Sequence, residues 1–417
     1  MAVAVKKKSF LDGIPDAPPD PILSLRTLYE EDPAEKKLNV SVGAYRTDEG
    51  KSYVLPVVKE VETMMLDDPS LNHEYLPVEG LKEFRDATAK LAFGEDSLAI
   101  REGRCVTVQA LSGTGALRVG LEFLSRFYAQ GAKVYIPEQS WPLHRRIPPL
   151  SGMGEVGLYR YFNADTKGVD FTGLMEDISH APNGSIIVLH PCAHNPTGAD
   201  LSFDEWKRLC TVIAEKGHLP FFDAAYQGFA TGDLIRDRFA LEYFASQGIE
   251  LMLSQSYAKN MGLYGERTGA LSVIVSDKSI VDRVLTQLKQ VIRPMYSSPP
   301  AHGARIAATI LNNPVLFDKW NGELKLMSGR ILEMRTALKL ALQKLQTPGS
   351  WDFLEKQIGM FSYTGLTGPE VDFIQEKYHI YMMRNGRISM AGLTTSTVDY
   401  LAGAMHDAVL NAPKGHL

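Results

Sequence analysis

Six short apolar runs punctuate the middle of the chain, at residues 106–111, 133–136, 185–190, 219–222, 249–253 and 270–275. They are rich in Val, Ile and Leu and largely continuous, the pattern of strands buried on both faces. Helical spacing separates them, as at residues 115–126, so the region reads as successive βαβ units. That predicts a mostly parallel sheet with helices on both faces, whose ligands gather at the carboxyl ends of the strands. Before this region, residues 1–17 read as an extended arm, because Pro15, Pro18, Pro19 and Pro21 oppose an early helix. A helix is expected from residue 21 to 29, a β segment over 38–42, and helices from about 57 to 93 with a break at 73–77. After the region, residues 304–345 read as a long helical stretch broken at Asn312-Asn313-Pro314. Short strands follow at 361–364, 380–383 and 387–389, with a closing helix over 397–410.

Composition narrows the picture. With 417 residues the chain is long enough for two or three domains, and 45% hydrophobic with 22% charged residues is the balance of a soluble globular protein. A net charge of −5 offers no basic field for nucleic acid or an anionic membrane surface. Cys105, Cys192 and Cys210 are too few and too scattered for a disulfide framework or a zinc site, and fit a reducing compartment. Lys6, Lys7 and Lys8 are followed by no apolar segment of a secretory signal, and the arginines of a mitochondrial presequence are missing. No apolar run approaches membrane-spanning length, so the expected location is the cytoplasm.

The candidate chemistry falls at the ends of the apolar runs. Residues 254–269 link two of them and hold Lys259, Ser256 and Arg267. A lysine at a buried strand end loses ammonium character through desolvation and like charge, and becomes a nucleophile towards carbonyls. Arg267 and Ser256 suit a phosphate, and Gly262, Gly265 and Gly269 let backbone approach a ligand. Ser112-Gly113-Thr114-Gly115-Ala116 lies between a strand and a helix, so its amides form an anion cradle, although no Walker Gly-Lys-Ser/Thr follows. Asn195 stands in a turn bounded by Pro196 and Gly198. Asp223 closes the run at 219–222, with Tyr226 three residues on. A carboxylate there needs a cationic partner, and a pyridinium nitrogen, His144 or His190 each qualifies. Trp141 offers a ring for stacking, and Arg293 and Arg387, in small or apolar surroundings, suit bidentate carboxylates. Singly, each is better explained as a turn, a core ring or a structural ion pair. Jointly they meet the needs of a pyridoxal 5′-phosphate enzyme acting on amino acids, with no metal.

The same residues carry a family likeness. Val42-Gly-Ala-Tyr-Arg46-Thr, Glu74-Tyr-Leu-Pro77, Leu111-Ser-Gly-Thr-Gly115 and His194-Asn-Pro-Thr-Gly198 occur in that order. Asp223-Ala-Ala-Tyr226-Gln-Gly-Phe, Ser254-Gln-Ser-Tyr-Ala-Lys259-Asn, Gly265-Glu-Arg267 and Gly386-Arg-Ile388 continue it. On these stretches the chain resembles, along nearly its whole length, the aspartate aminotransferases of the eukaryotic-type subgroup. The resemblance implies the α/β fold of the fold-type I pyridoxal phosphate transferases, with a mostly parallel seven-stranded sheet in the larger domain. It implies an arm at 1–20, a large domain at 54–326 and a small α/β domain from 21–53 and 327–417. It also implies a homodimer with active sites at the subunit interface, and reversible ping-pong transfer between L-aspartate and 2-oxoglutarate giving oxaloacetate and L-glutamate.

Carried over by resemblance, Lys259 would form the imine with the cofactor and shuttle the proton, while Asp223 would hold the pyridine nitrogen protonated. Tyr226 and Asn195 would bond the ring oxygen, and Trp141 would stack on the ring. Ser112, Gly113, Thr114, Ser256 and Arg267 would bind the phosphate, with Tyr75 reaching it from the neighbouring subunit. Arg387 would clamp the substrate α-carboxylate, aided by Asn195, Trp141 and the backbone at Gly43. Arg293 of the other subunit would clamp the distal carboxylate. The pattern departs at Ser298, where the family usually has asparagine, and at Gln139-Ser140, which bears on the acceptance of aromatic substrates. Two rivals of other kinds are an aromatic aminotransferase of the same fold and a non-catalytic scaffold that kept it.

Overall fold

A computed structural model describes residues 9–129 and 131–413; the lysines at 6–8 lie outside that range. The chain enters a helix at Pro21–Glu31, where Asp20 caps the Ile22 and Leu23 amides and Pro21 occupies the first turn. Leu38–Asn39 (β1) follows. Then come Cys105–Leu111 (β2), Val134–Pro137 (β3), Gly157–Tyr159 (β4) and a hairpin of Phe162–Asn163 (β5) and Gly168–Val169 (β6). Ile186–Leu189 (β7), Leu219–Ala224 (β8), Leu251–Ser256 (β9) and Thr268–Ile274 (β10) complete the middle region. Phe361–Tyr363 (β11), Ile380–Tyr381 (β12) and Arg387–Ser389 (β13) lie near the C-terminus.

Seven of these strands form one sheet in the order β2-β10-β9-β8-β7-β3-β4. Only β10 runs against its neighbours, so the mostly parallel sheet expected from the apolar runs is present. Successive residues point to opposite faces. Phe221 therefore packs with Val188, Leu271 and the helix Ser112–Phe127, while Phe222 packs with Leu189, Trp206 and Phe244 on the other side. Both faces are covered, which is why these strands carry so few polar residues.

A further core surrounds the helix Pro314–Lys344. Its buried residues Trp320, Leu324, Met327, Ile331, Met334, Leu338 and Leu342 recur every three or four positions and make one apolar stripe. That stripe meets Leu401 and Met405 of the last helix, Val398–Asn411. Nearby, β1 pairs in parallel with β12, so residues on either side of the central region share a small sheet, and β11 pairs with β13 in another.

Several boundaries differ from those expected. The strand expected over 38–42 stops at Asn39, because the Asn39 side chain accepts hydrogen bonds from the Ser41 amide (2.9 Å) and hydroxyl (2.7 Å) and turns the chain. Ser112-Gly113-Thr114 are not a separate loop; the helix Ser112–Phe127 starts directly at the end of β2. Asp223 lies inside β8, paired with Ser254 of β9, rather than beyond the strand. The three-residue edge strand β4 was too short to register in the pattern of apolar runs.

Candidate active site

The carboxyl ends of β2, β7, β8 and β9 open on one edge of the sheet, and the antiparallel β10 begins there. This edge holds a cleft of roughly 500 Å³, part of it open to solvent. Ser112, Gly113, Thr114, Trp141, Asn195, Asp223, Tyr226, Ser256, Lys259 and Arg267 line it, together with His190 and Ala225. Residues up to 155 positions apart (Ser112 and Arg267) thus meet because parallel strands end together.

Lys259 follows β9 with its amine 5.8 Å from the Tyr226 ring centre. Burial pushes its pKa down to about 8; the Asp223 charge opposes that shift, while Arg267 and Arg387 add to it. Asp223 is 7% exposed. Burial alone would raise its pKa, but the hydrogen bond with His144 and the charges of His144, His190 and Lys259 hold it below the usual carboxylate value. His144 Nε2 lies 3.0 Å from Asp223 Oδ2, and Nδ1 lies 2.7 Å from the Ser140 hydroxyl. The His144 ring thus bridges the Ser140 hydroxyl and the Asp223 carboxylate through its two nitrogens. The Ser254 hydroxyl is 3.4 Å from the other Asp223 oxygen. The ionised carboxylate is therefore maintained by the protein, with histidine as the partner that the sequence left open.

Elsewhere in the lining of the cleft the backbone itself is strained. Ser112 and Arg267 both have positive φ, at 60° and 52°, and the Ser112 amide donates to the Arg267 carbonyl at 3.0 Å. Such conformations cost on the order of 1–3 kcal/mol each and persist only where surroundings enforce them. The Ser112 and Ser256 hydroxyls are 2.8 Å apart. The first turn of the helix Ser112–Phe127 points its amides at the same spot, and Arg267 has no carboxylate partner among the described residues. Hydroxyls, helix N-terminus and guanidinium form an anion cradle. Gly269 is required here by protein rather than by ligand, since an added Cβ would lie 2.6 Å from the Ser112 Cα. The expectation that all three glycines serve ligand approach therefore does not hold for Gly269.

Arg387 on β13 lies beside this cleft. Its Nη1 donates to Asn195 Oδ1 at 3.2 Å and its Nη2 to the Ser41 carbonyl at 2.6 Å. Its Nε is buried with no partner among the described residues, and burial lowers its pKa to about 10. A buried guanidinium facing neutral oxygens and holding a donor in reserve is a seat for a carboxylate. The Phe361 ring supports it, 4.3 Å from the guanidinium carbon, and the backbone at Gly43 lies against the same ring. Burial also raises the Tyr226 pKa, with the charge of Arg387 opposing, so the phenol stays protonated.

Two expected residues lie elsewhere in the single chain. Tyr75 is 82% exposed in a coil segment. Arg293 is exposed in the last turn of the helix Val281–Tyr296, where its Nη1 donates to the Ser297 hydroxyl at 2.5 Å. Phe361 and Ser254 were not singled out from the sequence. Nothing in the local pattern separates Phe361 from any core aromatic, and Ser254 looked like one more strand hydroxyl.

The sequence model of the family described as "Aminotransferase class I and II" matches residues 35–405. The chain is 51% identical to the cytoplasmic aspartate aminotransferase of Oryza sativa subsp. japonica over 401 residues, covering 96% of this chain and 98% of that one. Among solved structures, the cytoplasmic aspartate aminotransferase of Giardia lamblia superposes with a TM-score of 0.94 at 41% identity, covering 98% of this chain and all (100%) of the other. An aromatic-amino-acid aminotransferase from Burkholderia pseudomallei, covalently bound to pyridoxal phosphate, superposes with a TM-score of 0.93 at 40% identity, covering 96% of this chain and 100% of that one.

Proposed function

The chain belongs to the class I and II aminotransferases, and on that basis we propose that it moves an amino group between L-aspartate and 2-oxoglutarate, giving oxaloacetate and L-glutamate. The transfer is ping-pong and depends on pyridoxal 5′-phosphate. One observation carries the reading: a lysine of lowered pKa lies between an anion cradle and a carboxylate kept ionised.

These residues fit the cofactor at both ends. The cradle of Ser112, Gly113, Thr114, Ser256 and Arg267 suits its phosphate, and Asp223 suits its protonated ring nitrogen. When bound, pyridoxal phosphate supplies the carbonyl that takes up the amino group and the ring that withdraws electrons from the reacting carbon. Lys259, as a neutral amine, holds the cofactor and then moves the proton off the substrate Cα. Tyr226 and Asn195 would donate to the ring oxygen, and Trp141 would stack on the ring. Arg387 binds the α-carboxylate, with Asn195, Trp141 and the Gly43 backbone around it.

The remaining parts need a second subunit. We place Tyr75 at the phosphate and Arg293 at the distal carboxylate of the neighbouring chain's site, which accounts for their exposure in one chain. The protein is accordingly a homodimer of cytoplasmic location. We divide each chain into an arm at 1–20, a cofactor-binding domain at 54–326 and a smaller domain from 21–53 and 327–417.

Likeness to the aromatic enzyme of Burkholderia pseudomallei supports a second reading, in which aromatic donors are preferred. Initial rates with 2-oxoglutarate and either aspartate or phenylalanine decide between them. Aspartate is expected to give the higher kcat/KM; the reverse order supports the aromatic reading.

Asp223→Asn tests the electronic role. An amide cannot hold the ring nitrogen protonated, so kcat with aspartate should fall by about 10²-fold or more. The cradle is untouched, so cofactor retention should change far less. Equal losses in both, or none in either, would make Asp223 structural.

A further inference from the structure

Behind the cleft lie two ionic groups that no step above uses. Arg335, on the helix Pro314–Lys344, is fully buried, and Asp200 follows the turn that carries Asn195. Neither forms a salt bridge among the described residues, although each feels the other's charge. Arg335 Nη1 donates to the Leu354 carbonyl at 3.0 Å. Its Nη2 donates to the carbonyls of Gly359 (2.8 Å) and Phe361 (2.5 Å). One guanidinium thus gathers three carbonyls of the segment 354–361. Asp200 does the converse for its own turn, accepting from the amides of Ala193 (2.5 Å) and His194 (2.8 Å).

The two segments are packed backbone to backbone. The Ile358 amide donates to the Gly198 carbonyl at 2.7 Å. A Cβ added at Gly198 would lie 2.5 Å from the Phe361 oxygen, and one at Gly359 would lie 2.3 Å from the Ala193 Cβ. Both segments also end on the same side chain: one brings the Phe361 ring, the other Asn195 Oδ1, to the Arg387 guanidinium. A buried cation without a contacting anion is costly, and burial lowers the Arg335 pKa to about 9. An apolar residue would fill that space at less cost. What it could not do is hold three carbonyls with a rigid planar fork.

We propose that Arg335 is a positioning residue for the substrate clamp: by fixing the segment 354–361 against the Asn195 turn, it sets the place of Phe361 and so of Arg387. The proposal rests on the reading that Arg387 binds the α-carboxylate. Steady-state constants of the holoenzyme test it in Arg335→Lys, Phe361→Leu, the double variant and Arg387→Lys. Lysine keeps the charge but cannot span three carbonyls. Arg335→Lys should therefore raise KM for both aspartate and 2-oxoglutarate about tenfold, because both carry the α-carboxylate, with kcat changed less than about threefold. Cofactor absorbance should be unaltered. Since Arg335 acts through Phe361, the double variant should be little worse than the worse single one. Additive effects, unchanged KM values, or parallel loss of kcat and cofactor would each overturn the proposal. Should Arg335→Lys fail to fold, Phe361→Leu decides alone: unchanged KM for both substrates refutes the route through the ring. Arg387→Lys separates the two readings. If it leaves KM unchanged, the carboxylate assignment fails; if it raises KM while Arg335→Lys does not, only the positioning role fails.

Discussion

Lys259→Ala is expected to lower kcat for aspartate by about 10⁴-fold or more, since the variant loses both the covalent attachment of the cofactor and the proton carrier at Cα. The fold should survive the change. Among the described residues the Lys259 amine enters no ion pair, and its near neighbours are the Tyr226 and Tyr264 rings, 5.8 and 6.0 Å away at their centres. Its lowered pKa means that burial already disfavours the charged form, so truncation removes a desolvated ammonium rather than a stabilising contact. The expected result is an inactive protein of near wild-type melting temperature. Near wild-type turnover in that variant would show that another amine does the chemistry.

Arg293→Ala should have the next largest effect, and it reports on the assembly as well as the site. Removing one partner of a desolvated ion pair costs about 3 kcal/mol or more, a hundredfold or more in kcat/KM for aspartate. Alanine as amino donor, lacking the distal carboxylate, should be much less affected. The same variant can then be paired with Lys259→Ala. If the two residues of one site come from different chains, refolding the mixture gives hybrids in about half the dimers. One site of each hybrid collects both defects, and the other is whole. Activity should return to about a quarter of the wild-type value under random pairing. Were both residues supplied by one chain, mixing would restore nothing.

What could be read without coordinates follows from how the elements are built. Six apolar runs marked strands of the central sheet because parallel strands buried on both faces leave no room for polar alternation. The cleft lining was legible for a related reason: each candidate stands within a few residues of a strand end, and the ends share one edge. The direction of the Lys259 shift was legible too, since desolvation and like charge act on any lysine so placed. Its neighbours were not. That Arg267 and Arg387 supply the like charge depends on residues 8 and 128 positions from Lys259 meeting in space.

Other features depend on contacts that no periodicity encodes. The strand at Leu38 ends after two residues because Asn39 bonds Ser41 locally, although the apolar pattern runs on. The helix after β2 begins at Ser112 because its left-handed φ turns strand into helix without a linker. That His144, one of the partners the sequence left open for Asp223, contacts it is visible only as a 3.0 Å approach across 79 positions of sequence. Phe361 acquires its place beside Arg387 through the pairing of β11 with β13 and the carbonyls held by Arg335.

Aspartate added to the holoenzyme with no oxo acid present tests the central claim most directly. The account predicts complete conversion of the cofactor's absorbance to that of its amino form, with one oxaloacetate released per chain. Adding 2-oxoglutarate after the free aspartate has been removed should restore the starting spectrum and release one glutamate per chain. A spectrum unmoved by saturating aspartate, or a reaction that proceeds only when both substrates are present together, would contradict it.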